Sequence, residues 1–153
     1  QAGATPVAIE FGVEQNQSDR SFLYTINGKS LEKIPMVKAT IGETQIWTVT
    51  NATPWSHPLH IHGFFFQVLD KAGNPVRPMQ WKDTVSVPFK DSVKIIVRFD
   101  DDRPGSWMYH CHILDHAEGG LMSAIQVTRP GETPPPAPAA EHTHNAGPKK
   151  DEN

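Results

Sequence analysis

The strongest constraint on the fold is one run, Trp107-Met108-Tyr109-His110-Cys111-His112-Ile113-Leu114-Asp115-His116, which holds the chain's single cysteine and three of its eight histidines. Successive side chains on a strand point to opposite faces. If the run is extended at Cys111, its thiol faces one way and the imidazoles of His110 and His112 face the other. One short peptide then serves two metal sites, one on each side of the strand. A soft thiolate with imidazoles suits copper.

A second run, His57-Pro58-Leu59-His60-Ile61-His62-Gly63, carries three more histidines. His60 and His62 stand two apart and share a face if the segment is a strand. His57 precedes Pro58, which disfavours helix there, and is read as free to turn elsewhere. Six of the eight histidines and the only thiol thus fall into two tight clusters.

At 153 residues the chain is long enough for one domain with a real core. No apolar run is long enough to span a membrane, and a net charge of −3 is too small to imply nucleic acid. The first residue is Gln1 and no secretory signal peptide is visible, which reads as a processed chain, a fragment or a shortened one. A single cysteine allows no internal disulfide. Asp100-Asp101-Asp102 reads as a solvated turn rather than a cation site. The four methionines are dispersed, so no methionine-rich segment suggests handling of cuprous ions.

Strand signals punctuate most of the chain. Val7 to Phe11 alternates as a strand would, and Gly12 to Arg20 reads as a polar loop. Phe22 to Ile26 is a short strand ended by the turn signal Asn27-Gly28. Met36 to Ile41, Gln45 to Thr50, Phe64 to Leu69, Thr84 to Val87, Val93 to Phe99 and Leu121 to Thr128 are further candidates, the second rich in β-branched residues. Ala72 to Pro75 and Arg103-Pro104-Gly105 are turns, the latter leading straight into the cysteine strand. Seven to nine short strands of this kind predict an antiparallel sandwich or barrel. A short helix is expected only around Ile113 to Glu118, broken by Gly119-Gly120. From Pro130 onward, prolines, alanines and charges without apolar periodicity predict a disordered tail, whose His142 and His144 read as incidental.

A blue copper site needs two imidazoles, one thiolate and a weak axial neighbour. Cys111 and His116 are close enough in sequence to share a loop around one ion, with His57 supplied by the other cluster. Leu121 and Met122 are both available on the axial side. His60, His62, His110 and His112 then remain as two pairs, which side by side suit a cluster of more than one metal ion. A structural zinc site uses a closed four-ligand set, and seven ligands are too many for it. A cysteine that merely fills a core does not account for the flanking histidines.

The two histidine runs resemble the two C-terminal copper motifs of the multicopper oxidases, the family of laccases, bilirubin oxidases and cuprous oxidases. Ile26-Asn27-Gly28, Trp47 to Asn51, Asp83 to Pro88 and Gly105 to Tyr109 also resemble that family's last cupredoxin domain. The resemblance covers about residues 7–128. It implies an all-β, cupredoxin-like Greek-key sandwich or barrel over 1–129, followed by the Pro/Ala-rich tail over 130–153.

By position, the resemblance assigns His57, Cys111 and His116 to a type 1 copper, His60 to a type 2 copper, and His62, His110 and His112 to a type 3 pair. It implies a copper oxidase that takes single electrons from phenols or other organic reductants. Those electrons pass along Cys111 to His110 and His112, and dioxygen is reduced to water. Leu121 falls on the family's axial position and cannot coordinate. Ala117 stands where some bacterial members carry Glu, so no proton donor carries over. Only four of the eight cluster histidines of the family are present, so N-terminal cupredoxin domains, in a longer chain or a second chain, are the expected partner. A periplasmic or secreted location is likewise implied. Two other readings are a stand-alone blue-copper electron-transfer protein, which leaves both histidine pairs idle, and a copper nitrite reductase-like subunit, which does not need His112.

Overall fold

A computed structural model describes residues 3–30, 33–113, 116 and 120–133. Ten strands are present among them: β1 (Thr5–Gln15), β2 (Phe22–Ile26), β3 (Val37–Thr40), β4 (Thr44–Asn51), β5 (His57–Ile61), β6 (Phe66–Leu69), β7 (Thr84–Val87), β8 (Ser92–Arg98), β9 (Gly105–Cys111) and β10 (Met122–Thr128). They form two five-stranded sheets, ordered β2-β1-β4-β8-β6 and β3-β10-β9-β5-β7. From β3 to β9 each strand lies in the sheet opposite its predecessor, so the connections cross the sandwich. The all-β expectation holds, with more strands than the turn signals indicated.

Period-two patterning explains the two layers. In β4 the residues Gln45, Trp47, Val49 and Asn51 are buried while those between them are only partly covered. Trp47 packs edge-to-face on Tyr109 of β9, ring centroids 5.2 Å apart, joining the two sheets through the middle of the core. Phe11, Phe66, Phe99, Ile95 and Ile125 complete that layer with no exposed surface. The buried Gln45 is satisfied: its amide donates to the Lys38 carbonyl and its oxygen accepts from the Trp47 indole.

Three boundaries differ from expectation. The segment read as a loop from Gly12 continues β1 to Gln15, because each residue pairs with β2, ending at Gln15 opposite Phe22. Pairing supplies what that polar stretch lacks in apolar pattern. Phe64 and Phe65 precede β6 rather than belonging to it, and Phe65 is exposed. His57 does not turn away from a strand: it is the first residue of β5 and pairs with Val87 of β7. Its separate direction comes from strand alternation itself. The aspartates at 100, 101 and 102 sit on the surface, paired with Arg98, Arg103 and Arg129 respectively. Of the helix expected from Ile113 to Glu118, residues 114, 115, 117 and 118 lie outside the described residues, as do residues 134–153 of the tail expected from Pro130.

Candidate metal centres

Strands β5 and β9 are antiparallel neighbours in one sheet, with Leu59 opposite Cys111 and His60 opposite His110. On β5 the residues His57, Leu59 and Ile61 point into the sandwich. On β9 the inward residues include Tyr109 and Cys111. His60, His62 and His110 are half-buried on the other face. Strand parity thus separates His57 and Cys111, facing inward, from His60 and His110, facing outward; His62 joins the outer group and His116 the inner one from beyond the strand ends.

The inner cluster is His57, Cys111 and His116. Cys111 Sγ lies 3.6 Å from His57 Nδ1 and 3.8 Å from His116 Nδ1, and the two nitrogens are 3.1 Å apart. The point equidistant from the corners of such a triangle lies about 2 Å from each, the length of a metal–imidazole bond. His57 and Cys111 have no exposed surface. Burial, and then the neighbouring His116, lower the His57 pKa to about 4, so its imidazole is neutral and free to donate a lone pair at ordinary pH. Burial also pushes the Cys111 thiol up, against a backbone hydrogen bond with Ile113 that pulls it down. A cation at the centre of the triangle would reverse that, because it deprotonates a coordinating thiol.

Leu121 stands just before β10, opposite Cys111. The Cys111 amide donates to the Leu121 carbonyl over 2.9 Å, and the β9–β10 ladder places Met122 opposite His110. Leu121 is fully buried and Met122 exposed. Of the two axial candidates, Leu121 therefore shares the thiol's face. Gly120 delivers it: its φ of +119° is left-handed, and a Cβ there would run into the Tyr24 carbonyl. Tyr24 was not singled out by the sequence, yet its ring lies 4.8 Å from that of His116. Trp55 packs edge-to-face on both Tyr24 and Phe22 and, with Phe22, reaches solvent.

The outer cluster is His60, His62 and His110, with ligand atoms all within 4.8 Å of one another. His62 Nε2 and His110 Nε2 are 2.8 Å apart. The partners of the other nitrogens fix two tautomers. His110 Nδ1 lies 2.7 Å from the Cys111 carbonyl and His60 Nδ1 2.9 Å from the Asp83 carbonyl. A carbonyl only accepts, so both Nδ1 atoms carry a proton, and in the neutral ring it is Nε2 that offers the lone pair. Burial, then His60 and His110, hold the His62 pKa below its usual value. His112 lies just past β9 and is more exposed. Its amide bonds to the Pro58 carbonyl, and its ring sits 5.5 Å from that of His60, beside the other three rather than among them.

Both clusters present neutral lone pairs at close range, one around a thiol and one made of imidazoles alone, a donor set that fits copper. The family model described as multicopper oxidase matches residues 4–131. The chain belongs to the multicopper oxidase family.

This multicopper oxidase chain is 36% identical to the multicopper oxidase mco of Staphylococcus epidermidis over 112 residues, covering 68% of this chain and 24% of that protein. It is 30% identical to the laccase of Bacillus subtilis over 110 residues, 59% of this chain and 21% of that one. Among solved structures, it matches the McoA multicopper oxidase of Aquifex aeolicus with a TM-score of 0.68 at 32% identity, over 83% of this chain and 30% of that one. The multicopper oxidase of Pediococcus acidilactici gives 0.70 at 31%, over 86% and 28%. The cupredoxin-like fold expected from the motifs is thereby shown, and copper is the metal of the family. The chain spans about a quarter of the length of the curated relatives it matches.

Proposed function

We propose that this chain is the C-terminal cupredoxin domain of a laccase-like copper oxidase, and that the rest of its outer cluster comes from N-terminal cupredoxin domains. One observation carries the reading. Adjacent residues of β9 place a buried thiol in the inner cluster and a half-buried imidazole in the outer one.

In this reading His57, Cys111 and His116 hold a type 1 copper beneath the non-coordinating Leu121. His60 holds a type 2 copper, and His62, His110 and His112 contribute to a type 3 pair. Bound copper supplies one-electron oxidation of a reducing substrate and four-electron reduction of dioxygen to water. The chain's own residues do the rest. His116 is the half-buried edge of the inner cluster and carries Tyr24 against its ring, so it is the point of electron entry. The aromatic ledge of Trp55 and Phe22 beside Tyr24 suits a planar organic reductant such as a phenol. Cys111 links the inner cluster to the outer one, both by its covalent bond to His110 and by its carbonyl, which accepts the His110 Nδ1–H at 2.7 Å. Leu121 excludes water and a fourth donor from the thiol's face.

A lone electron carrier has no use for His60, His62 and His110 gathered within 4.8 Å. Oxygen uptake on a phenol, with copper counted per molecule, tests the proposal. The chain joined to its N-terminal domains is expected to consume oxygen, and the chain alone to bind inner-cluster copper without doing so. Sustained oxygen reduction by the chain alone would overturn the shared cluster, and copper-replete assembled protein that consumes none would overturn the oxidase.

A further inference from the structure

His57 reaches the inner cluster through Nδ1, so its other nitrogen decides whether that atom offers a lone pair or a proton. His57 Nε2 lies 2.6 Å from Thr53 Oγ1, and both residues are fully buried. Thr53 Oγ1 also lies 2.7 Å from Asn51 Oδ1 and 2.9 Å from the Trp55 carbonyl. The hydroxyl has one proton to give. Asn51 Oδ1 and the Trp55 carbonyl can only accept. Directed at those oxygens, the proton serves Asn51 Oδ1, the Trp55 carbonyl or both; given to His57, it would leave both oxygen–oxygen contacts, at 2.7 and 2.9 Å, with no proton between them.

Nor can the Asn51 amide turn over to relieve this. Its oxygen accepts the Thr53 backbone N–H at 3.0 Å, and its nitrogen donates to the Trp55 carbonyl at 2.6 Å and the Val87 carbonyl at 3.0 Å. Val87 is the residue paired with His57 across β5 and β7. Asn51 itself is the last inward residue of β4. Every hydrogen-bonding position of its side chain is thus bound to fixed backbone or to Thr53.

We infer that Thr53, locked by Asn51, is a positioning residue that keeps the proton of His57 on Nε2 and so aims the Nδ1 lone pair at the Cys111–His116 site. The device makes His57 the mirror of His60 and His110, whose backbone carbonyl partners hold the proton on Nδ1 and free Nε2. The two faces of one sheet thereby use opposite tautomers, each set by a partner outside the histidine's own cluster. The inference rests on the proposed role of His57 as a ligand, but the proton's position is a property of the copper-free protein.

Two arms test it. Long-range proton–nitrogen NMR on the copper-free protein reads the His57 tautomer with no metal involved. The proton is expected on Nε2 in the wild type and in Thr53→Ser, and divided between the nitrogens in Thr53→Val, which keeps the shape without the hydroxyl. Copper competition against a chelator reads the consequence: about 10- to 100-fold weaker binding at the inner site in Thr53→Val, with Thr53→Ser restored. A wild-type proton on Nδ1 overturns the inference whatever the variants do, without touching the copper assignment. Thr53→Val indistinguishable from Thr53→Ser in tautomer or in copper affinity also overturns it.

Discussion

Leu121 lies across the β9–β10 ladder from Cys111, its carbonyl accepting the cysteine amide at 2.9 Å, while Met122 faces outward opposite His110. If a copper occupies the inner cluster as proposed, Leu121 would offer it no donor atom, which would leave the cupric state less stabilised. Leu121→Met should lower the reduction potential by something on the order of 0.1 V. Met122→Leu, on the other face, should leave it nearly unchanged. Redox titration followed by the visible spectrum distinguishes the two, and a large shift at Met122 alone would contradict the register.

Removing the thiol should separate the two clusters. The strong visible absorption of a blue copper site belongs to its thiolate–copper bond. Cys111→Ser should abolish that band and stop oxidation of reducing substrates. Copper at the outer histidines should be largely retained, because they lie on the other face of the sheet from the sulfur. Absorption spectra and copper counts on the assembled protein check this, and a surviving strong band would remove Cys111 from the site.

Acid should weaken the copper-free fold through His57. Its pKa is lowered to about 4, against an ordinary value of 6.5. Between those values the unfolded chain binds a proton that the folded chain refuses. The His57 contribution is therefore whole above pH 6.5 and is lost as pH falls toward 4, on the order of 3 kcal/mol in all. Denaturant unfolding at a series of pH values should show that decline, and His57→Gln should flatten it.

Gly120 sets the approach of the chain to the inner cluster. Gly120→Ala places a Cβ against the Tyr24 carbonyl at a left-handed φ. A loss of about 2 kcal/mol is expected, together with a broadened visible band as Leu121 and His116 shift. Gly28→Ala, at a turn with open space around the Cβ position, separates the two contributions, since it carries the backbone cost without the collision.

Much of the site was legible because strand alternation acts over single residues. The odd–even difference between Cys111 and its flanking histidines is written in the sequence, and so is that between His57 and His60. Pro58 disfavours helix at His57 without deciding between a turn and a strand, and pairing with Val87 makes it a strand. Thr53 and Asn51 were not legible. Their role depends on Asn51 reaching Val87, 36 positions away, and no local pattern announces such a contact. Tyr24 was read as one residue of a short strand; its place against His116 depends on how the chain returns at Gly120. The extension of β1 to Gln15 likewise came from its partner strand, not from its own composition.

The back-to-back arrangement on β9 also limits how such a chain can change length. Losing or gaining one residue between Gly105 and Cys111 reverses which side of the sheet every later side chain meets. The thiol would then emerge among the outer histidines and an imidazole would enter the apolar interior. A shift of one residue inside this strand would therefore scatter both ligand clusters at once.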